Sequence, residues 1–295
     1  MKIQDVLGAS PFVRLGMRLS RIVPAGPMYA LARFIGWLGL KRRNNLFCAI
    51  RSNLARVLGP DTDPEELDRL ARDAIVHTGH TYFDMFRTDS YDYVKGLVPI
   101  RIDPDDWSRV REVFESPRGT VVVGPHTSNF DLAAQWFVAQ GFEMQALSLS
   151  EPNKGTQTVN RLREERGMMM TPIDQGSLRQ AIKRLRSGGI IITGVDRPVS
   201  PDDEPLPFFG APARLPTGHV RLALQTKTPI IIAACTQDDD GVYRIHLAGP
   251  LEMEVSGDRA ADTRHNAIRV LEILEEIIRQ HPSQWLMFWP VWDND

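Results

Sequence analysis

From residue 119 onward, short apolar runs rich in β-branched residues alternate with stretches whose apolar positions recur at helical spacing. Residues 121–123, 144–149, 190–195, 230–235 and 242–247 read as strands, the last after an Asp-Asp-Asp-Gly turn. Residues 132–139, 154–166, 178–186, 216–227 and 262–280 read as helices, three of them closed by glycine at 141, 167 and 188–189. The terminal run 284–289 reads as a strand or an extended segment. This alternation implies an α/β fold with a central, mostly parallel sheet flanked by helices.

The opening third has only the helical period. Leu15, Met17, Leu19, Ile22 and Val23 interleave with Arg14, Arg18 and Arg21. After a break between Pro24 and Pro27, residues 28–40 are apolar almost all round, carry Phe34 and Trp37, and end in Lys41-Arg42-Arg43. Residues 44–58 continue as a helix through Leu46, Ile50, Leu54 and Leu58, stopped by Gly59-Pro60. Asp63 before Pro64-Glu65-Glu66 combines a cap, a first-turn proline and acids at the positive helix end, and starts a helix to about Thr88. The chain thus divides into an N-terminal helical region, 1–90, and an α/β core, 91–295. No low-complexity linker separates them, so they should pack as one unit.

Charge changes the picture of the N-terminal region. The net charge of -2 hides ten Lys or Arg against one acid in residues 1–58 (+9), and 25 basic against 36 acidic residues in the remainder (-11). A basic, aromatic-bearing apolar stretch suits helices lying in an anionic membrane interface, and an ordinary buried helix with a basic cap is the alternative. No run reaches the roughly 18–20 apolar residues that span a bilayer, and the early Asp5 argues against a signal peptide. The bulky apolar residues among the arginines disfavour nucleic acid as a partner. Cys48 and Cys235 are far apart and give neither a disulfide framework nor metal spacing, as in a reducing compartment. His77 and His80 share a helix face but lack a third ligand nearby.

Candidate chemistry centres on residues 119–131. The strand ends at Gly124-Pro125, His126 comes next, and Asp131 lies at the start of the next helix. Strand ends in α/β folds are where ligands bind. With Ser128 or Asn129 as the cap, Asp131 sits in the first turn and should fold back to fix the imidazole tautomer. There is no Gly-x-Ser-x-Gly elbow. A His–carboxylate pair without a nucleophilic serine suits direct attack by a substrate hydroxyl on an activated acyl group. Such activity should fall in acid. Asp196 also ends a strand and should reach the same edge, Glu151 comes after another strand, and Arg163 and Arg166 sit one turn apart, suited to a phosphate. Glu204 lies in the acidic, proline-rich segment 198–206, and Ser148 and Ser150 read as structural.

The stretch His126-Thr127-Ser128-Asn129-Phe130-Asp131 resembles the His-x4-Asp/Glu motif of glycerolipid and glycolipid acyltransferases. Further blocks match in order: Asn160-Arg161-Leu162-Arg163 with Arg166-Gly167, Gly194-Val195-Asp196-Arg197 with Pro207-Phe208-Phe209-Gly210, Leu215-Pro216-Thr217-Gly218, Thr228-Pro229-Ile230, and the aromatic run Gln284 to Trp289. Over roughly residues 20–290 the chain is most similar to the branch holding the lipid A late acyltransferases and the phosphatidylinositol mannoside acyltransferases. In that family the terminal segment usually carries more basic residues.

The resemblance implies an O-acyltransferase of the glycerolipid acyltransferase fold. His126 would be the general base and Asp131 would orient it, with Arg163, Arg166, Asp196, Glu204 and Glu151 toward the substrate. It implies acyl-CoA or acyl carrier protein as donor and co-substrate, a lipid-linked acceptor, no metal or resident cofactor, and peripheral attachment at the cytoplasmic face of the cell membrane. A non-catalytic lipid- or acyl-binding protein and an acyl hydrolase are the competing functions on the same fold.

Overall fold

The structure, a computed structural model, describes residues 10–87, 95–96 and 99–292. The boundary near residue 90 expected from the sequence falls outside the described residues. Four helices come first: α1 (Ser10–Ile22), α2 (Ala25–Arg42), α3 (Asn45–Leu58) and α4 (Pro64–Arg87). Next come β1 (Ile100–Ile102), α5 (Pro104–Glu115), β2 (Thr120–Gly124), α6 (Phe130–Ala139), β3 (Met144–Ser148), α7 (Lys154–Glu165), β4 (Met169–Pro172), α8 (Gln175–Arg186) and β5 (Ile190–Gly194). A hairpin of β6 (Pro205–Phe208) and β7 (Ala211–Arg214) leads to α9 (Gly218–Thr226), β8 (Ile230–Gln237), β9 (Tyr243–Leu251) and α10 (Arg259–Gln280).

Seven strands form one sheet in the order β1-β9-β8-β2-β5-β3-β4. Five of them, β8 through β4, are mutually parallel, and β9 runs antiparallel to β8 with β1 parallel to β9. The central strands are buried on both faces, so their sequences are continuous apolar runs rather than alternating ones. Val121, Val123, Ile191 and Ile232 pack with residues of α8, α9 and α10, while Val122, Ile190 and Ile231 pack on α5 and α6. The α/β reading of residues 119–280 holds. The elements β1, α5, β4 and the β6–β7 hairpin are additions to it.

The N-terminal helices pack on this core. Helix α1 lies against α4 and α7, and α2 and α3 lie against α4. Helix α2 is apolar nearly all round because its two faces do different things. Its inner face is small: Ala32, Gly36 and Gly39 are buried. A Cβ on Gly79 of α4 would stand 2.6 Å from the Ala32 Cβ, so only glycine permits this helix approach. The outer face keeps Leu31, Phe34, Ile35 and Trp37 exposed, continued on α1 by Leu15, Leu19 and Ile22. Among the described residues no helix is long and apolar enough to cross a membrane. Polar anchors also join helices to core. Asn53 of α3 donates to the carbonyls of Met287 (3.2 Å) and Trp289 (2.8 Å). Asp84 of α4 accepts from the hydroxyls of Tyr29 (2.8 Å) and Tyr243 (2.5 Å).

Candidate active site

Strands β2 and β5 are parallel neighbours with Gly124 opposite Gly194. The residues after each glycine therefore leave the same sheet edge side by side. They are Pro125-His126 after β2 and Val195-Asp196 after β5. Glycine is required at 194, because a Cβ there would lie 2.6 Å from His126 Cε1.

Asp196 is fully buried and ligated by three donors. His126 Nδ1 lies 2.6 Å from Oδ1, the His126 backbone N–H donates to Oδ2 at 2.8 Å, and the Trp285 indole N–H donates to Oδ2 at 2.7 Å. Burial alone would raise the pKa of this carboxyl; the facing imidazole and these hydrogen bonds outweigh it and hold Asp196 below the ordinary carboxylate range. An ionised Asp196 fixes the proton of His126 on Nδ1. The lone pair is then on Nε2, which has no protein partner among the described residues, and the side chain is 30% exposed. The Phe130 ring stands edge-on to the imidazole, 5.2 Å between centroids.

The loop that carries His126 is braced from the C-terminal segment. The Ser128 N–H donates to the Gln284 carbonyl (2.8 Å) and the Leu286 N–H donates to the His126 carbonyl (2.8 Å). Thr127 and Trp285 form a β-bridge. Ser128 takes a positive φ of 38°, an uncommon choice for a residue with a Cβ. Asn129 caps α6 by accepting from the Leu132 N–H.

Asp131 is not the carboxylate on His126, contrary to the expectation from the sequence. It lies in the first turn of α6, buried, and meets α7 instead. Its two oxygens accept from Arg163 Nε (2.5 Å) and Nη2 (2.9 Å), and Arg163 Nη1 donates to Asn160 Oδ1 (2.8 Å). Burial alone would lower the Arg163 pKa, and the Asp131 charge and hydrogen bonds outweigh it and raise it. A bidentate guanidinium is the stronger partner, and His126 Nδ1 is already taken by Asp196. Arg163 thereby stays beside the site, its guanidinium 5.9 Å from the Phe130 ring centroid.

Arg166 does not line a ligand site. It is 6% exposed, and its Nη1 donates to the Met85 carbonyl in the last turn of α4 (2.8 Å) and to Gln135 Oε1 (3.0 Å). A cation on those terminal carbonyls is a structural clamp between α4 and α6. Arg166→Ala is expected to cost about 2–4 kcal/mol of stability in urea unfolding, from stranded acceptors and lost packing, with the kcat of the folded fraction unchanged. Glu204 is also elsewhere: it is surface-exposed and paired with Arg264 of α10 at 2.6 Å. Glu151 is exposed in the loop after β3, at the same sheet edge as His126. Among the described residues there is no cluster of three or more metal-ligating side chains.

Trp285 and Arg197 are site residues that the sequence reading did not single out. The signal for Trp285 is a buried indole, whose N–H needs an acceptor. Arg197, stacked over Trp289 with 4.5 Å to the ring centroid, is adjacent to Asp196.

The family model for bacterial lipid A biosynthesis acyltransferases matches residues 9–294. A phosphatidylinositol mannoside acyltransferase of Mycolicibacterium smegmatis is 26% identical over 287 residues, covering 95% of this chain and 90% of that protein. One from Mycobacterium tuberculosis is 26% identical over 252 residues, covering 83% and 77%. The crystal structure of the 1-acyl-sn-glycerophosphate acyltransferase of Thermotoga maritima aligns with a TM-score of 0.34 at 14% identity, covering 80% of this chain and 98% of that one.

Proposed function

The chain belongs to the bacterial lipid A biosynthesis acyltransferase family, and from that premise we propose that it transfers a fatty acyl group from a thioester donor to a hydroxyl of a membrane glycolipid or phospholipid. It is an acyltransferase of lipid substrates. The observation that carries the mechanism is His126, with Nδ1 on the buried Asp196 and Nε2 open. A hydroxyl of the acceptor gives its proton to Nε2 while its oxygen bonds to the thioester carbonyl carbon. The imidazolium that forms is stabilised by Asp196. The tetrahedral oxyanion then collapses, the carbon–sulfur bond breaks, and the leaving thiolate takes the proton back from Nε2. The donor is the thioester of coenzyme A or of acyl carrier protein. A phosphatidylinositol mannoside is the acceptor favoured by the named mycobacterial relatives, of which the first matches nearly the full length of the chain.

The exposed face of α1 and α2 supports work at a membrane surface. Leu15, Leu19, Ile22, Leu31, Phe34, Ile35 and Trp37 are exposed, on a stretch that also carries Arg14, Arg18, Arg21, Arg33 and the cluster Lys41 to Arg43. Helix α1 itself packs on α7, the helix that carries Arg163, through Val13 and Met17. The variant Ile22→Glu/Phe34→Glu/Trp37→Glu changes only exposed positions. It loses insertion of three exposed side chains, about 1 kcal/mol each, so binding to anionic liposomes in flotation is expected to weaken roughly a hundredfold. Equal flotation of variant and parent would exclude this face as the contact.

The function is tested by incubating pure protein with acyl-CoA or acyl carrier protein thioester and a total bacterial lipid extract, with mass spectrometry of the lipids. One glycolipid or phospholipid is expected to gain an ester-linked acyl chain. Free fatty acid released at the same rate with and without lipid would instead identify a hydrolase, and an absence of turnover would identify a binding protein.

A further inference from the structure

Two arginines belong to the surroundings of the His126–Asp196 pair, Arg163 over the Phe130 ring and Arg197 next in the chain to Asp196, and they are differently occupied. The guanidinium of Arg163 gives three of its five N–H donors to Asp131 and Asn160, and its charge is paired with that of Asp131. Arg197 is half-buried, and among the described residues it donates no hydrogen bond and makes no ion pair. The adjacent acid, Asp196, accepts from His126 and Trp285 and makes no hydrogen bond or ion pair with Arg197. Burial depresses the Arg197 pKa, opposed by the nearby charge of Asp196 and the Tyr82 phenol. A guanidinium keeps its charge under such conditions. The five N–H donors of this half-buried cation have no protein acceptor among the described residues, so solvent or a ligand takes them. The Trp289 ring holds the guanidinium by a cation–π contact, 4.5 Å from its carbon to the ring centroid.

We propose that Arg197 is the anion-binding residue of this site and holds a phosphate oxyanion of a bound substrate near His126. The planar fork of arginine matches two oxygens of a phosphate group. The proposal rests on the acyl-transfer reading, in which two substrates carry such a group: the acceptor lipid through its headgroup phosphate, and the donor through its coenzyme or prosthetic-group phosphates. Arg197 thereby sets which substrates are held productively, and the bond-making step stays with His126.

The test combines binding with kinetics on Arg197→Gln and Arg197→Lys, both checked by thermal unfolding. In calorimetry with inorganic pyrophosphate, Arg197→Gln is expected to bind at least about tenfold more weakly than the parent, with Arg197→Lys between them. The lysine variant supplies the comparison if the glutamine variant does not fold. In steady-state transfer, the KM of the phosphate-bearing substrate should rise roughly ten- to a hundredfold in Arg197→Gln, with kcat within a factor of about three. Replacing acyl-CoA by acyl-pantetheine, a thioester without phosphate, removes the difference if the donor supplies the anion. Replacing a phosphoglycolipid acceptor by a phosphate-free glycolipid removes it if the lipid does. Unchanged pyrophosphate binding, or a KM rise that persists with both phosphate-free partners, overturns the proposal. A parent protein that binds pyrophosphate through Arg197 but transfers no acyl group keeps the anion site and overturns the transfer reading.

Discussion

Asp196→Asn is expected to lower the kcat of acyl transfer roughly a thousandfold with little change in KM, whereas Asp131→Asn is expected to act mainly on stability. Asparagine is nearly isosteric with aspartate, so the Trp285 and His126 backbone donors keep a carbonyl acceptor. What it removes is the negative charge that fixes the proton on His126 Nδ1 and stabilises the imidazolium. Neutralising the carboxylate of a comparable His–Asp pair costs on the order of ten-thousandfold in kcat. Asp131→Asn instead leaves the buried Arg163 guanidinium without its counter-ion, a loss of about 3 kcal/mol in stability. Steady-state rates on folded protein, with urea unfolding of the same samples, separate the two. There is also a pH signature. The pKa of Asp196 is depressed in the folded protein. Its contribution to stability is therefore present above the unfolded value, about 3.9, and is lost as pH falls through the lower folded value. Asp196→Asn should remove that part of the acid-induced destabilisation. Equal kcat losses in the two variants would return Asp131 to the role the motif suggests.

His126→Ala removes the base itself. Removing a positioned base costs typically 10²–10⁴-fold, and here it also removes the ring nitrogen partner of Asp196. The side chain is partly exposed, edge-on to Phe130 and against Gly194. Folding should survive, and the KM values for donor and acceptor should stay within about threefold. Residual activity should rise with pH as hydroxide replaces the base. Full transfer by His126→Ala would remove the imidazole from the chemistry.

The position of the candidate site at the end of β2 was readable from the sequence, and the partners of its side chains were not. Local signals placed His126: a buried apolar run, a Gly-Pro stop and a capped helix start. The choice of its carboxylate depended on strand order. That β5 lies beside β2, with Gly194 opposite Gly124, is a long-range pairing that residue spacing does not reveal. Asp131, five positions from His126, looked local, yet its helix turn aims it at Arg163. Arg163 and Arg166 share a helical spacing, but the helix ends at Glu165 and Arg166 turns inward to α4. Among the elements, periodic helices and apolar parallel strands were readable. The strand β4, Met-Met-Thr-Pro, and the proline-bearing hairpin β6–β7 carry little β-branched signal. Helix α2 looked uniformly apolar because its glycine and alanine face packs on α4 while its aromatic face stays outside.

Direct attack by the acceptor hydroxyl, with His126 as base, is tested most directly by a rapid-quench single turnover with labelled acyl donor, resolved into donor, protein-bound acyl and lipid product. The label is expected to pass from donor to lipid in one phase, with none on the protein at any time and none released when the donor is supplied alone. Acyl label accumulating on the protein before the lipid ester forms would contradict it and require a covalent acyl-enzyme.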